Sequence, residues 1–140
     1  MPSFDDRDAG MPEVSEQHAE RVFALRGAVQ AERNDRSSIL TSTDELLREM
    51  IARNDLAAEG MISCILTCTD DLDAEFPAVA ARELGLDEVP LLCTREIAVP
   101  GAMERVIRAM LHYYAPADHS PAHVYLGAAR GLRSDLHSAQ

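Results

Sequence analysis

At 140 residues the chain has room for one domain built around a single two-layer core. Its formal charge of −11 speaks against a nucleic-acid partner, because phosphate binding needs a basic footprint. The longest apolar run, Met61 to Cys68, falls far short of the ~20 residues of a membrane helix. The acidic start has no basic-then-apolar leader pattern, so a cytoplasmic protein without a membrane partner is expected.

With no Trp, three Tyr and three Phe, aliphatic side chains and Ala must fill the core. There is no lysine, so all 13 basic residues are Arg. Genome bias is the bland cause. Arg is also the side chain that grips carboxylates in a bidentate fork, so the position of each Arg matters more than the count.

Residues 1–20 read as a disordered acidic tail, with Pro2, Gly10 and Pro12 and little periodicity. The remainder, 21–140, reads as one domain with a short C-terminal tail. A largely apolar first strand runs from Arg21 to Ala31. Asp35 or Ser37 can cap a helix to about Asn54, whose apolar stripe is Ile39, Leu40, Thr43, Leu46, Leu47, Met50 and Ile51. Gly60 leads into a second strand over Met61 to Thr69, apolar on both faces and therefore expected to be central.

Cys64 and Cys68 lie four residues apart on that strand, roughly 13 Å, too far for a disulfide. They read as buried small hydrophobes, with Cys93 making an odd third. After the acidic loop of Asp70, Asp71 and Asp73, Pro77 starts a second helix to about Leu84, capped by Gly85. Val89 to Thr94 is a third strand with Pro90 near its start. Pro100-Gly101 opens an expected third helix to about Tyr114, buried through Met103, Val106, Ile107, Met110, Leu111 and Tyr114. His123 to Ala129 closes the domain as a last strand. The order β-α-β-α-β-α-β implies an α/β, or α+β-like, fold: a mixed sheet with helices packed on one face.

Four residues resist a purely structural account. Arg26 interrupts the apolar first strand, followed at once by Gly27; it is either an edge-strand Arg reaching solvent or a carboxylate-binding one. Glu96 and Cys93 lie at or beyond the carboxyl end of the third strand, where ligands of such sheets gather, although a solvated loop Glu would look the same. Arg108 falls at the margin of the expected third helix's apolar stripe, which leaves it undecided. The five histidines form no metal spacing, and no nucleophile motif or phosphate loop appears. An enzyme of this composition would run a reaction needing neither nucleophile nor metal.

Six segments in order are similar to one family, the trimeric α/β chorismate mutases of the Bacillus type, over about Phe23 to Leu136. They are Leu25-Arg-Gly-Ala, the stretch from Thr67 through Asp70-Asp-Leu-Asp-Ala-Glu-Phe-Pro to Ala78, Ala81-Arg-Glu-Leu, Val89-Pro-Leu-Leu-Cys-Thr-Arg-Glu, Arg105-Val-Ile-Arg, and His123-Val-Tyr-Leu followed by Leu132-Arg133. The resemblance implies a homotrimer with a barrel-like core, helices outside, and a cleft at each subunit interface. It implies rearrangement of chorismate to prephenate in aromatic amino-acid biosynthesis, with no cofactor.

Residue by residue, Arg108 corresponds to the arginine facing the substrate's ether oxygen, and Arg26 to one holding a carboxylate. Tyr125 donates to the substrate, and Glu96 and Cys93 stand near the ring hydroxyl. Phe76, Ala78, Leu91 and Leu92 would line the pocket, the first two from the neighbouring chain. Arg82 and Arg133 would lie at its mouth, and Leu132 would also contact substrate. Two positions depart from the pattern: Val79 replaces a lysine of the best-known member, and Leu92 stands where the family often has Thr. Two alternatives remain at this stage. One is a non-catalytic trimeric binder of a carboxylate metabolite; the other is a trimer like the imine deaminases.

Overall fold

The computed structural model describes residues 19–132. The expected acidic tail, up to residue 18, and the end of the chain from Arg133 lie outside the described residues.

Strand β1 spans Glu20–Gln30. Helix α1, Arg36–Asn54, starts where expected: the Asp35 side chain accepts the Ser38 N–H at 2.7 Å, filling one of the orphan donors of a helix start. That bond, with Arg33 beside it, holds the Asp35 carboxyl below its usual range. Its contribution is therefore present above the ordinary Asp range and is lost as pH falls through the lowered value. A short 3₁₀ turn, Ala58–Gly60, leads into β2, Met61–Cys68. Helix α2, Ala78–Glu83, is followed by Gly85 at φ 102°, the left-handed cap expected of glycine there. Strand β3 is Leu91–Arg95.

The expected third helix does not form. Val106–Pro116 is a strand, β4, and it sits at the centre of the sheet, whose order is β3-β2-β4-β1-β5. The apolar pairs Val106-Ile107, Met110-Leu111 and Tyr113-Tyr114 fit helical spacing, but they arise because a central strand is apolar on both faces. Periodicity cannot separate these cases, whereas the β-branched and aromatic content of the segment favours a strand. Its alternation is plain in the burial: Ile107, Ala109, Leu111, Tyr113 and Ala115 are all buried. The element order is thus β-α-β-α-β-β-β, and β2 is interior but not the central strand.

The last strand is also shorter than expected. β5 is only Val124–Tyr125, after which the chain turns into a 3₁₀ segment at Gly127–Arg130. The sheet is mixed, as expected: β2 runs parallel to β3 and β1 to β5, while β4 is antiparallel to both of its neighbours.

One face of the sheet carries the core. Phe23, Leu25 and Val29 of β1, Cys64 and Leu66 of β2, and the buried set of β4 meet Ile39, Leu46, Leu47 and Met50 of α1. Gly27 is where the helix comes closest. A Cβ added there would stand 2.5 Å from Met50 Sδ and 3.0 Å from Leu46 Cδ1, so the glycine answers a close approach. Because side chains alternate along a strand, Arg26 points to the opposite, helix-free face. Cys64 is buried, and that burial pushes its thiol up to about 12, so it behaves as an inert small hydrophobe.

The far end of α1 is tied to the β5 region by Asn54. Its side-chain oxygen accepts the Ala122 N–H at 2.7 Å, and its amide donates to Ala122 O and Met50 O, both at 3.0 Å. Asn54 is buried, so Asn54→Ala would orphan buried backbone groups. A loss of about 1–3 kcal/mol in urea denaturation is the expected result.

Candidate active site

Strand register brings the site together. On the open face, Thr67 of β2 pairs with Arg108 of β4, Arg108 with Ala28 of β1, and Ala28 with Tyr125 of β5. The adjacent row runs Leu92, Ile65, Met110, Arg26. Ala28, in register between Arg108 and Tyr125, contributes only a fully buried methyl group. A hollow of about 230 Å³ is lined by Arg26, Gly27, Ile65, Thr67, Arg108, Ala109, Met110 and Tyr125.

Arg26 is not on an edge: β1 lies between β4 and β5, and the Arg26 N–H donates to His123 Nδ1 at 3.0 Å. The solvent-edge reading therefore falls. Arg108, on a strand rather than a helix, points its side chain to the open face. Its Nε donates to both oxygens of Glu96, at 3.0 and 2.9 Å. Glu96 lies just beyond β3, anchored by its own N–H to Cys68 O at 3.0 Å. Among the described residues, no acceptor occupies the two terminal nitrogens of the Arg108 fork. Glu96 braces one edge of the guanidinium and leaves the other presented.

The remaining expected residues gather elsewhere. Cys93 pairs in register with Leu66 and so faces the helix side, packed with Leu91 against the core, away from Arg108. Cys93 and Phe76 line a second hollow of about 420 Å³ on that side. Phe76 is 67% exposed, a large ring with little of its own chain to cover it. Ala78 is buried in the first turn of α2, Val79 is half-buried, and Arg82 is exposed on the same helix. Leu92 is 58% exposed on the open face. Leu132 is half-buried at the end of the described residues, and Arg133 lies outside them.

Within one chain, then, the expected residues form two groups. Arg26, Arg108, Tyr125 and Glu96 stand on the open side, while Phe76, Ala78, Arg82 and Cys93 stand on the other. Sequence reasoning missed Thr67, Ile65 and Met110. Their signal was the strand register of β4, hidden as long as that segment read as a helix.

Fold and site together define a class: a small α+β protein whose open sheet face presents a braced guanidinium, a second Arg and a Tyr, groups suited to an anionic ligand. The particular family follows from the relatives. The chain belongs to the family described as Chorismate mutase type I, which it matches over residues 22–136. It is similar to Chorismate mutase AroH of Thermus thermophilus, 43% identical over 122 residues, covering 85% of this chain and 99% of that protein. Chorismate mutase AroH of Bacillus subtilis (strain 168) is 38% identical over 117 residues, covering 82% and 92%. The solved structure of a chorismate mutase from Clostridium thermocellum superposes with a TM-score of 0.74 at 42% identity, over 78% of this chain and 98% of that one.

Proposed function

We infer that the chain is an isomerase converting chorismate to prephenate, in a cleft that two copies of the chain build together. The observation that carries this is the convergence of Arg26, Arg108 and Tyr125 on one hollow, with Glu96 bracing Arg108. Chorismate carries two carboxylates, and its rearrangement is a concerted exchange of bonds without proton transfer or covalent intermediate. A protein lowers the barrier by holding the enolpyruvyl arm folded over the ring and by meeting the negative charge that grows on the ether oxygen.

In this reading Arg26 and Tyr125 hold carboxylate and fix the folded conformer, so that positioning supplies part of the rate. The free edge of the Arg108 fork meets the developing charge, and it is set before the reaction begins. Glu96 Oε2 accepts from both Arg108 and the Thr67 hydroxyl, but Oε1 keeps a second lone-pair direction beyond the one Arg108 uses, so the carboxylate can still accept from the ring hydroxyl. Val79 and Leu92 remove polar contacts at the rim, and the Arg groups carry the binding.

Two observations support sites shared between copies of the chain, as in the homotrimer that the family resemblance implies. A hollow of about 230 Å³ is small for a complete ligand pocket, which typically starts near ~300 Å³. The open face also leaves Ile65, Met110 and Leu92 without a covering layer of this chain, while Phe76 and Arg82 stand at a separate rim. A neighbour's Phe76 rim placed over the Arg108 face would complete the cleft. The three free cysteines suit a cytoplasmic, reducing compartment.

The test is purified protein with chorismate, followed by loss of chorismate absorbance, together with sedimentation for a mass three times that of the chain. Binding without turnover, imine hydrolysis instead, or a monomer would each refute its part of the reading. Because the net charge of −11 opposes a dianion while local arginines attract it, binding depends on short-range charge. Raising ionic strength from about 0.01 M to 1 M shortens the screening length from about 30 to 3 Å. KM should rise severalfold across that range with kcat little changed, which steady-state assays will show.

A further inference from the structure

The hydroxyl of Thr67 takes no part in the chemistry above, yet it holds the carboxylate that braces Arg108. Thr67 sits opposite Arg108 in the β2–β4 register and lines the same hollow. Its Oγ1 donates to Glu96 Oε2 at 2.8 Å. That same oxygen accepts from Arg108 Nε at 2.9 Å, and Oε1 accepts from it at 3.0 Å.

Glu96 has three side-chain torsions and lies on a loop whose neighbour Ile97 is 88% exposed. Left to itself it has several rotamers to choose from. Arg108 cannot select among them, because the placement of its own long side chain is what needs fixing. Thr67 can. It is β-branched, its χ1 is stiff, and it is paired on both sides within the sheet, by Thr94 and Arg108. Its hydroxyl is thus a fixed point against which the carboxylate is set.

We propose that Thr67 is a positioning residue: its hydroxyl selects the Glu96 rotamer and so aims the Arg108 fork into the hollow before substrate arrives. Preorganised donors act on the transition state, so the effect belongs in kcat rather than in KM. The turnover readout rests on the chorismate reading given above.

The experiment compares T67V, T67S, E96A and T67V/E96A with the unaltered chain. Thr67→Val keeps the branched shape and strand preference but loses the donor. A hydrogen bond to a charged group is typically worth on the order of a tenfold change or more. The expected result is an about tenfold lower kcat for T67V with KM within about twofold, and recovery of most of the loss in T67S. In the E96A background the T67V change adds nothing further, because the path through the carboxylate is already cut. In protein without substrate, the NMR signal of the Arg108 Nε–H shifts in T67V and returns in T67S. A T67V enzyme with kcat within about twofold of normal, or an equal loss with Glu96 absent, would overturn the proposal, as would an unmoved Nε–H signal. If the unaltered chain leaves chorismate untouched, the activity reading fails, and the Nε–H signal alone decides the role of Thr67.

Discussion

Arg108→Lys should keep the fold and lose about 10²–10³-fold in kcat, the usual cost of removing one preorganised donor at a developing oxyanion. The charge is retained, so any loss reports on geometry. Glu96 holds Arg108 through Nε, with both oxygens within 3.0 Å, and this fixes the plane of the guanidinium. Lysine has no planar fork: an ammonium that satisfies Glu96 cannot also present a second, rigidly oriented donor to the hollow. The structural cost is small because the pair is partly exposed, with Arg108 at 40% and Glu96 at 19%. Exposed and half-exposed pairs contribute about 0–1 kcal/mol to stability. Steady-state kinetics paired with thermal melting separates the two effects. Near-normal turnover in the lysine variant removes Arg108 from the mechanism.

The second large effect concerns stability and asks whether Val106–Pro116 is the central strand. Tyr113 is 1% exposed; its ring lies 6.1 Å from Phe23 and its hydroxyl 2.8 Å from His119 Nε2. Its neighbour Tyr114 is 53% exposed. A helix over this segment would bury Tyr114 in the apolar stripe, whereas a strand turns alternate residues to opposite faces. Tyr113→Ala should therefore cost about 3–5 kcal/mol, as large aromatic truncations in cores do. Against a typical total of ~5–15 kcal/mol this threatens the folded state itself. Tyr114→Ala should cost under about 1 kcal/mol. Urea denaturation of the two variants gives the answer directly, and equal costs would contradict the strand.

Local signals were legible where one residue's chemistry decides a local geometry. Asp35 as helix cap and Gly85 as left-handed terminator are of this kind. The α1 stripe of Ile39, Leu46, Leu47 and Met50 was readable because a helix on one side of a sheet is apolar on one side only. β4 was not readable in this way. Its core face meets α1, and its other face lies beneath a half-finished cleft, so both phases of the pattern are apolar and helical spacing fits by coincidence.

The same boundary runs through the site. Arg26 stood out because a charge inside an apolar strand calls for a partner, and Glu96 because it lies beyond the carboxyl end of a strand. The family resemblance supplied their expected roles, while Arg108 remained ambiguous on periodicity alone. What the residues could not disclose is which of them meet. Thr67 and Arg108 are 41 positions apart, as the two residue numbers show. They become neighbours only through the β2–β4 register.

The amino-acid sequence by itself determined the chemical inventory: an arginine-only basic set, a helix with its caps, strands enough for one mixed sheet, and a family. Tertiary structure alone decided that β4 is the central strand, that Arg26, Arg108 and Tyr125 share one face, and that Cys93 turns to the other. The physical reason is that strand pairing is a long-range choice. Register assigns every side chain to a face, and no local preference along the chain encodes it.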